Sequence, residues 1–97
     1  MKKEFDTQKA EQKIKNIKQN LRNYIDGVQI IKYLPAEERA SSIQSDIIQL
    51  NKLLEDEQYQ GLLDATATNE LIAEGKAKIN ALGLDEAEVN AILGISG

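Results

Sequence analysis

The fold is decided by residues 10–54, AEQKIKNIKQNLRNYIDGVQIIKYLPAEERASSIQSDIIQLNKLL, which contain two runs of apolar residues at helical spacing. In each run the steps alternate between three and four residues, which is the heptad pattern of helices packed side by side at a shallow angle. The first run is Ala10, Ile14, Ile17, Leu21, Tyr24, Val28 and Ile31, and the second is Ala36, Ala40, Ile43, Ile47, Leu50 and Leu54.

Pro35 separates the two runs. A proline fits the first turn of a helix and disfavours helical geometry at the residue before it, here Leu34. Gly27 lies within the first run, but the apolar pattern continues past it, so we expect a weak point or a close contact and not a helix end. The sequence therefore predicts a long antiparallel helical hairpin with helices over about residues 8–33 and 36–57. Asp6 or Thr7 is expected to cap the first helix.

The register of this hairpin can be predicted, because facing residues in an antiparallel pair have a constant sum of residue numbers. Five apolar pairs share the sum 71: Ile31 with Ala40, Val28 with Ile43, Tyr24 with Ile47, Leu21 with Leu50, and Ile17 with Leu54. The next pair in this register, Ile14 with Glu57, places an apolar residue opposite a charge. We therefore predict that the first helix overhangs the second, which leaves Phe5, Ala10 and Ile14 without partners in the hairpin.

A third helix is predicted over about residues 66–82, after an irregular stretch that begins at Tyr59. It ends at Gly83, a residue type that commonly follows the last helical turn. Its expected inward positions are Leu71, Ile72, Ile79 and Leu82.

The last predicted helix, over about residues 86–93, has the clearest local signals in the chain. Asp85 and Glu88 have the spacing of a capping box, and Leu84 and Val89 have that of a hydrophobic staple. Gly94 marks its end. The expected fold is thus all-α in a single domain over residues 1–97. Whether the last two helices pack on their own hairpin or on that of a second chain stays open.

Composition excludes several classes of chemistry. The 97 residues include no Cys and no His, so thiol catalysis, histidine acid–base catalysis and thiolate metal sites cannot be built. We expect no enzymatic activity, no cofactor, no bound metal and no small-molecule substrate. No apolar run reaches the roughly 20 residues that a membrane helix needs, and the first residues lack the apolar core of a signal peptide. A cytoplasmic protein without membrane contact is therefore expected.

Charge is unevenly distributed along the chain. Residues 1–34 contain eight Lys or Arg and four Asp or Glu, whereas residues 35–97 contain four and twelve. Lys15, Lys18 and Arg22 fall on one face of the first helix, since they are three and four residues apart. Such a stripe could contact nucleic acid, but it lacks the interleaved aromatic residues that favour this function. The simpler interpretation is a solvated helix face beside the acidic remainder of the chain.

The C-terminal segment 75–94, GKAKINALGLDEAEVNAILG, resembles a helix-turn-helix unit. Its turn would be formed by Leu82 to Leu84, with Val89 and Ile92 pointing inward. The helix that would read DNA carries acidic residues and no Lys or Arg, which opposes binding to phosphates and base edges. A packed hairpin that completes the core is the favoured interpretation.

These observations favour a non-catalytic protein-interaction or assembly module that associates with itself through helical seams. A homodimer is the expected assembly, although another protein could take the same place, with Phe5, Ala10 and Ile14 as interface candidates. The first alternative is a small nucleic-acid-binding regulator that uses Lys15, Lys18 and Arg22 or the 75–94 unit. A second alternative is an accessory protein of a phage or mobile element that binds and inhibits a host protein.

Overall fold

The structure is a computed structural model that describes residues 5–29 and 31–94, and it confirms the all-α fold class. Two long helices pack against each other as an antiparallel hairpin, and shorter helices follow. Within the described ranges the elements are α1 (Thr7–Asp26), a 3-10 turn (Ile31–Tyr33), α2 (Ala36–Glu55), α3 (Glu57–Gln60), α4 (Ala65–Ala81) and α5 (Glu86–Leu93). No helix in these ranges is both long enough and apolar enough to cross a membrane.

Aspartates begin four of the five helices. In each case a carboxylate oxygen accepts a hydrogen bond from a backbone N–H in the first turn, which would otherwise have no partner. The bonds run from Lys9 N to Asp6, from Gln58 N to Asp56, from Ala67 N to Asp64 and from Glu88 N to Asp85, at 2.8–3.1 Å. The predicted caps at Asp6 and Asp85 are confirmed.

The predicted continuation of the first helix through Gly27 to residue 33 is wrong. Gly27 adopts φ +69° and ψ +57°, and its N–H donates to the carbonyl of Asn23, so it ends α1. This left-handed geometry disfavours residues with a Cβ atom and suits glycine. The apolar spacing continued past Gly27 by coincidence, since Val28 is 43% exposed. At 20 residues, α1 is about 30 Å long, because each residue rises about 1.5 Å.

The predicted hairpin register is also wrong, by about one heptad. Arg39 of α2 donates hydrogen bonds to the backbone carbonyls of Tyr24 and Ile25 in α1. At the other end of the hairpin, the ring of Phe5 packs edge-on against that of Tyr59, with centroids 5.4 Å apart. These contacting residues have sums of 63 or 64, not 71. A shift of seven residues is invisible to the heptad pattern, because each apolar run still faces the other.

The corrected register removes the predicted overhang. Ala10 and Ile14 are only 3% and 6% exposed, and Ile14 belongs to the main hydrophobic cluster. The expectation that these two residues lack partners is therefore wrong. Because α1 ends earlier than predicted, the register shifts and both residues lie within the hairpin. Phe5 keeps 37% exposure.

The last two helices cover their own hairpin. Buried residues from α1, α2, α4 and α5 form one cluster, in which Leu21, Ile43, Leu50, Ile79 and Val89 have no measurable exposure. α4 lies against both α1 and α2, while α5 packs on α2. The predicted inward positions Leu71, Ile72 and Ile79 are buried, and Leu82 is half-buried. This arrangement leaves one groove between α1 and α4 open to solvent.

Candidate protein-binding surfaces

The groove between α1 and α4 has an apolar floor and a basic rim. Its volume is about 440 Å³. The floor is formed by Ile14 of α1, Leu71 of α4 and Leu62 from the segment that precedes α4. Lys15, Lys18 and Arg22 form the rim, and we call this surface the basic groove.

The predicted basic stripe thus lies on a solvated face of α1, at the edge of an apolar surface. Heptad spacing explains this placement: Ile14 and Leu21 face the core, and the residues one position later, Lys15 and Arg22, face the edge beside it. The long methylene stems of lysine can cover apolar surface while the ammonium groups stay in water.

Arg22 is held across the end of the basic groove. Its guanidinium Nη2 lies 2.6 Å from the Glu74 carboxylate of α4, and Nη1 lies 3.6 Å from Asp26. The hydrogen bond to Glu74 is the main cause that raises the pKa of Arg22 above its ordinary value. The pair links α1 to α4. Of the basic residues that line the groove, Lys15 and Lys18 are the two outside any described ion pair.

A second concave surface lies near the connection between α1 and α2, between the start of α2 and the end of α5. It encloses about 550 Å³ and is lined by Tyr24, Leu34, Ile92 and Leu93, together with Glu37 and Glu38. We call it the acidic hollow. Ile92 is 52% exposed and Leu93 is 37% exposed. Among the described residues that line it, none is basic.

The helix-turn-helix-like segment folds as the packed hairpin that was favoured. Gly83 turns the chain with φ +87° between α4 and α5. Val89 is fully buried as expected, but the prediction that Ile92 points inward is wrong, since Ile92 is 52% exposed. The side chains of Gln44 and Asn90 join α2 to α5 through a 3.0 Å hydrogen bond. The exposed Glu86 carboxylate pairs with Lys76 at 3.3 Å.

A polar furrow with Asp46 at its floor runs between α1 and α2. Asp46 is 9% exposed, and its Oδ2 atom is buried without a hydrogen-bond partner. Burial raises the pKa of this carboxyl group to about 6. Lys9 and Lys13 of α1 line one part of the furrow, and Ser42 and Ser45 of α2 line another. Ile17, Tyr24 and Leu93 also line the furrow, so its walls are mixed polar and apolar.

The predicted interface residues do not come together on one surface. Ile14 contributes to the floor of the basic groove, whereas Ala10 is enclosed in the hairpin. Phe5 lies against Tyr59, and the Lys13 ammonium sits 5.8 Å from the centre of the same Tyr59 ring. The proposed nucleic-acid residues Lys15, Lys18 and Arg22 are brought together.

Sequence reasoning missed the floor residue Leu62 and the residues of the acidic hollow. Leu62 stands in the irregular stretch before α4, where no periodicity assigns a direction to a side chain. Within the described ranges, no group of three or more acidic residues could hold a metal ion. Comparison with known proteins adds nothing to this geometry, since no family model, curated protein or solved structure matches the chain.

Proposed function

We propose that the protein is a non-catalytic protein-binding module that holds an acidic amphipathic helix of its partner in the basic groove. The single observation that carries the proposal is the combination of an apolar floor, formed by Ile14, Leu62 and Leu71, with the flanking ammonium groups of Lys15 and Lys18. An amphipathic helix placed in a groove buries apolar side chains at helical spacing. Carboxylates beside those side chains would meet the lysines.

The length of the groove defines the length of the segment that fits it. The rim extends from Glu11 to Arg22 along α1, which corresponds to about 17 Å at 1.5 Å per residue. A partner helix of about three turns covers this distance. Complementary charges at such a rim mainly increase the association rate and select the partner, while the apolar floor supplies most of the affinity.

Nucleic acid remains the rival partner, and the surroundings of the stripe favour protein. Glu11 lies at the same groove, and Glu74 already neutralises Arg22. These carboxylates oppose a phosphate backbone and an acidic peptide alike, so they do not distinguish the two partners. A nucleic acid would leave the apolar floor unused, whereas single-stranded nucleic acids are bound through aromatic stacking, which this groove does not offer among its described residues.

The direct test is fluorescence anisotropy with a labelled 12-residue peptide whose leucines lie on one helical face between glutamates. We expect a Kd of about 10–100 µM, which corresponds to a binding free energy of about 5.5–7 kcal/mol. The double variant Lys15→Glu/Lys18→Glu should bind the peptide at least about tenfold more weakly, since attraction between the lysines and the peptide glutamates becomes repulsion between like charges. Circular dichroism establishes that the variant retains its helices.

Two controls separate recognition from bulk charge. A scrambled peptide of identical composition keeps the charge but has no apolar face, so it should bind much more weakly. Lys52→Glu changes the charge of an exposed residue of α2 that does not line the groove, and it should leave the affinity unchanged. Equal binding of both peptides, or tighter binding of a random DNA duplex at low salt, would refute the proposal.

A further inference from the structure

We infer that the occupant of the basic groove is a second copy of this chain, which places the exposed end of its α5 in the groove and the glutamates of its acidic hollow beside the rim. This inference rests on the proposed function, because it names the partner of the same groove. Two apolar surfaces of opposite charge occur on one small molecule. One has Lys15 and Lys18 at its rim, and the other has Glu37 and Glu38.

The two surfaces lie on opposite sides of α1. Arg22 lines the basic groove, while Tyr24 lines the acidic hollow. Two residues of an α-helix separated by two positions point about 200° apart, since each residue turns the helix by about 100°. The hollow and the groove of one molecule therefore cannot contact each other. The complementary surfaces can meet only between two copies.

Exposed apolar side chains supply the inserting part. Ile92 and Leu93 end α5, and both are more exposed than is usual for large apolar residues. In the proposed contact they lie on Leu62 and Leu71 of the neighbouring copy. Glu37 and Glu38, in the first turn of α2, then face the lysines of the groove rim.

The geometry of the contact determines the kind of assembly. Because different surfaces meet, the first contact leaves a free hollow on one copy and a free groove on the other. Such heterologous contacts form closed rings when the rotation between copies closes, and open chains when it does not. The account therefore predicts growth beyond a dimer as concentration increases, in contrast to the symmetric dimer that a shared helical seam would give.

Sedimentation velocity over about 10 µM to 1 mM tests the inference, with concentrations chosen to bracket a weak contact. The wild-type protein should show a mass that increases with concentration. Lys15→Glu/Lys18→Glu and Glu37→Lys/Glu38→Lys should each remain monomeric over the same range. The protein that combines all four substitutions should assemble again, because the charges are exchanged and still complementary. Glu37→Gln/Glu38→Gln is a milder second variant, since lysines in the first turn of α2 also weaken the helix.

The outcomes distinguish this inference from the proposed function. A wild-type protein that stays monomeric at about 1 mM but binds the acidic peptide contradicts self-association and leaves peptide binding intact. A protein that neither assembles nor binds the peptide refutes both. Assembly that persists in both charge-reversed variants shows that other surfaces are in contact, and it refutes the inference. If the inference holds, excess acidic peptide should also dissociate the assemblies.

Discussion

The guanidinium of Arg39 donates hydrogen bonds from α2 to the last turn of α1, with Nε 2.7 Å from the carbonyl oxygen of Tyr24. Its Nη2 atom donates to the carbonyl of Ile25 at 3.0 Å. These carbonyls lie in the turn where a helix leaves its oxygens without intrahelical partners and where the helix dipole favours a positive charge. A residue of the second helix therefore completes the end of the first and fixes the register between them.

Arg39→Met should lower the free energy of unfolding by about 2–3 kcal/mol, because it leaves two carbonyls without their charged donor. Urea denaturation followed by circular dichroism measures the change. Arg22→Met is the matched control, since the ion pairs of Arg22 are exposed to solvent and should contribute less than about 1 kcal/mol. Equal losses in the two variants would contradict the role assigned to Arg39.

Gly27→Ala should destabilise the protein by about 1–2 kcal/mol, which is the usual penalty for a Cβ atom in left-handed geometry. The added Cβ would also lie 2.8 Å from Nη2 of Arg39. Gly61→Ala is the control, because Gly61 has ordinary helical geometry and open space around it. The loss of stability caused by Gly27→Ala should be smaller in an Arg39→Met background. Strictly additive losses in the double variant would contradict coupling between the two residues.

Gly75→Ala should destabilise the protein even though alanine favours helices by about 1 kcal/mol. Gly75 is buried in α4, where a Cβ would lie 3.0 Å from Cδ1 of Ile47 and 3.2 Å from Cγ2 of Ile43. Thermal unfolding should show a smaller loss for Gly75→Ala in an Ile47→Val background, since valine lacks the Cδ1 atom. A Gly75→Ala variant that is more stable than the wild type would show that α4 does not approach α2 as closely as these distances imply.

Asp46 should make stability decrease as the pH rises. Burial raises its pKa to about 6 in the folded protein, against 3.8 for an ordinary aspartate, so the folded state holds the proton more tightly. The stabilising contribution of the protonated Asp46 carboxyl group is therefore fully present below about pH 4 and is lost as the pH rises through about 6. Asp46→Asn should raise the free energy of unfolding at pH 7, by at most about 3 kcal/mol, and should change it little at pH 4.

Urea denaturation of wild type and Asp46→Asn at pH 4 and pH 7 measures this difference. Glu70→Gln, which removes the charge of an exposed residue of α4, controls for the change in net charge. An Asp46→Asn effect of the same size at both pH values would contradict the link to titration of this carboxyl group.

Four of the five described α-helices could be predicted from sequence, because they depend on local signals. The short α3 was not predicted, and the first helix was expected to continue past Gly27 to residue 33. Apolar periodicity predicted the long helices, and aspartates at N-cap positions predicted the starts of α1 and α5. The register could not be predicted in the same way. A heptad repeat is unchanged by a shift of seven residues, so the two registers are distinguished by contacts that lie off the repeat, such as those of Arg39 with Tyr24 and of Phe5 with Tyr59.

The candidate surfaces were predictable only in part. Lys15, Lys18 and Arg22 were found because they share a helix face. Their apolar neighbours Leu62 and Leu71 come from a different part of the chain, so their position depends on how α4 crosses α1. The exposure of Ile92 depends likewise on which side of α5 meets α2, and no local pattern states this.

Chemical-shift mapping of the methyl groups during titration with the acidic amphipathic peptide tests the central claim most directly. The account predicts that the methyl signals of Ile14, Leu62 and Leu71 shift progressively, while those of the enclosed Ile79 and Val89 do not. The account would be contradicted by shifts confined to residues outside the basic groove. It would also be contradicted if no signal shifted at a peptide concentration of about 1 mM, which would mean a Kd well above 1 mM.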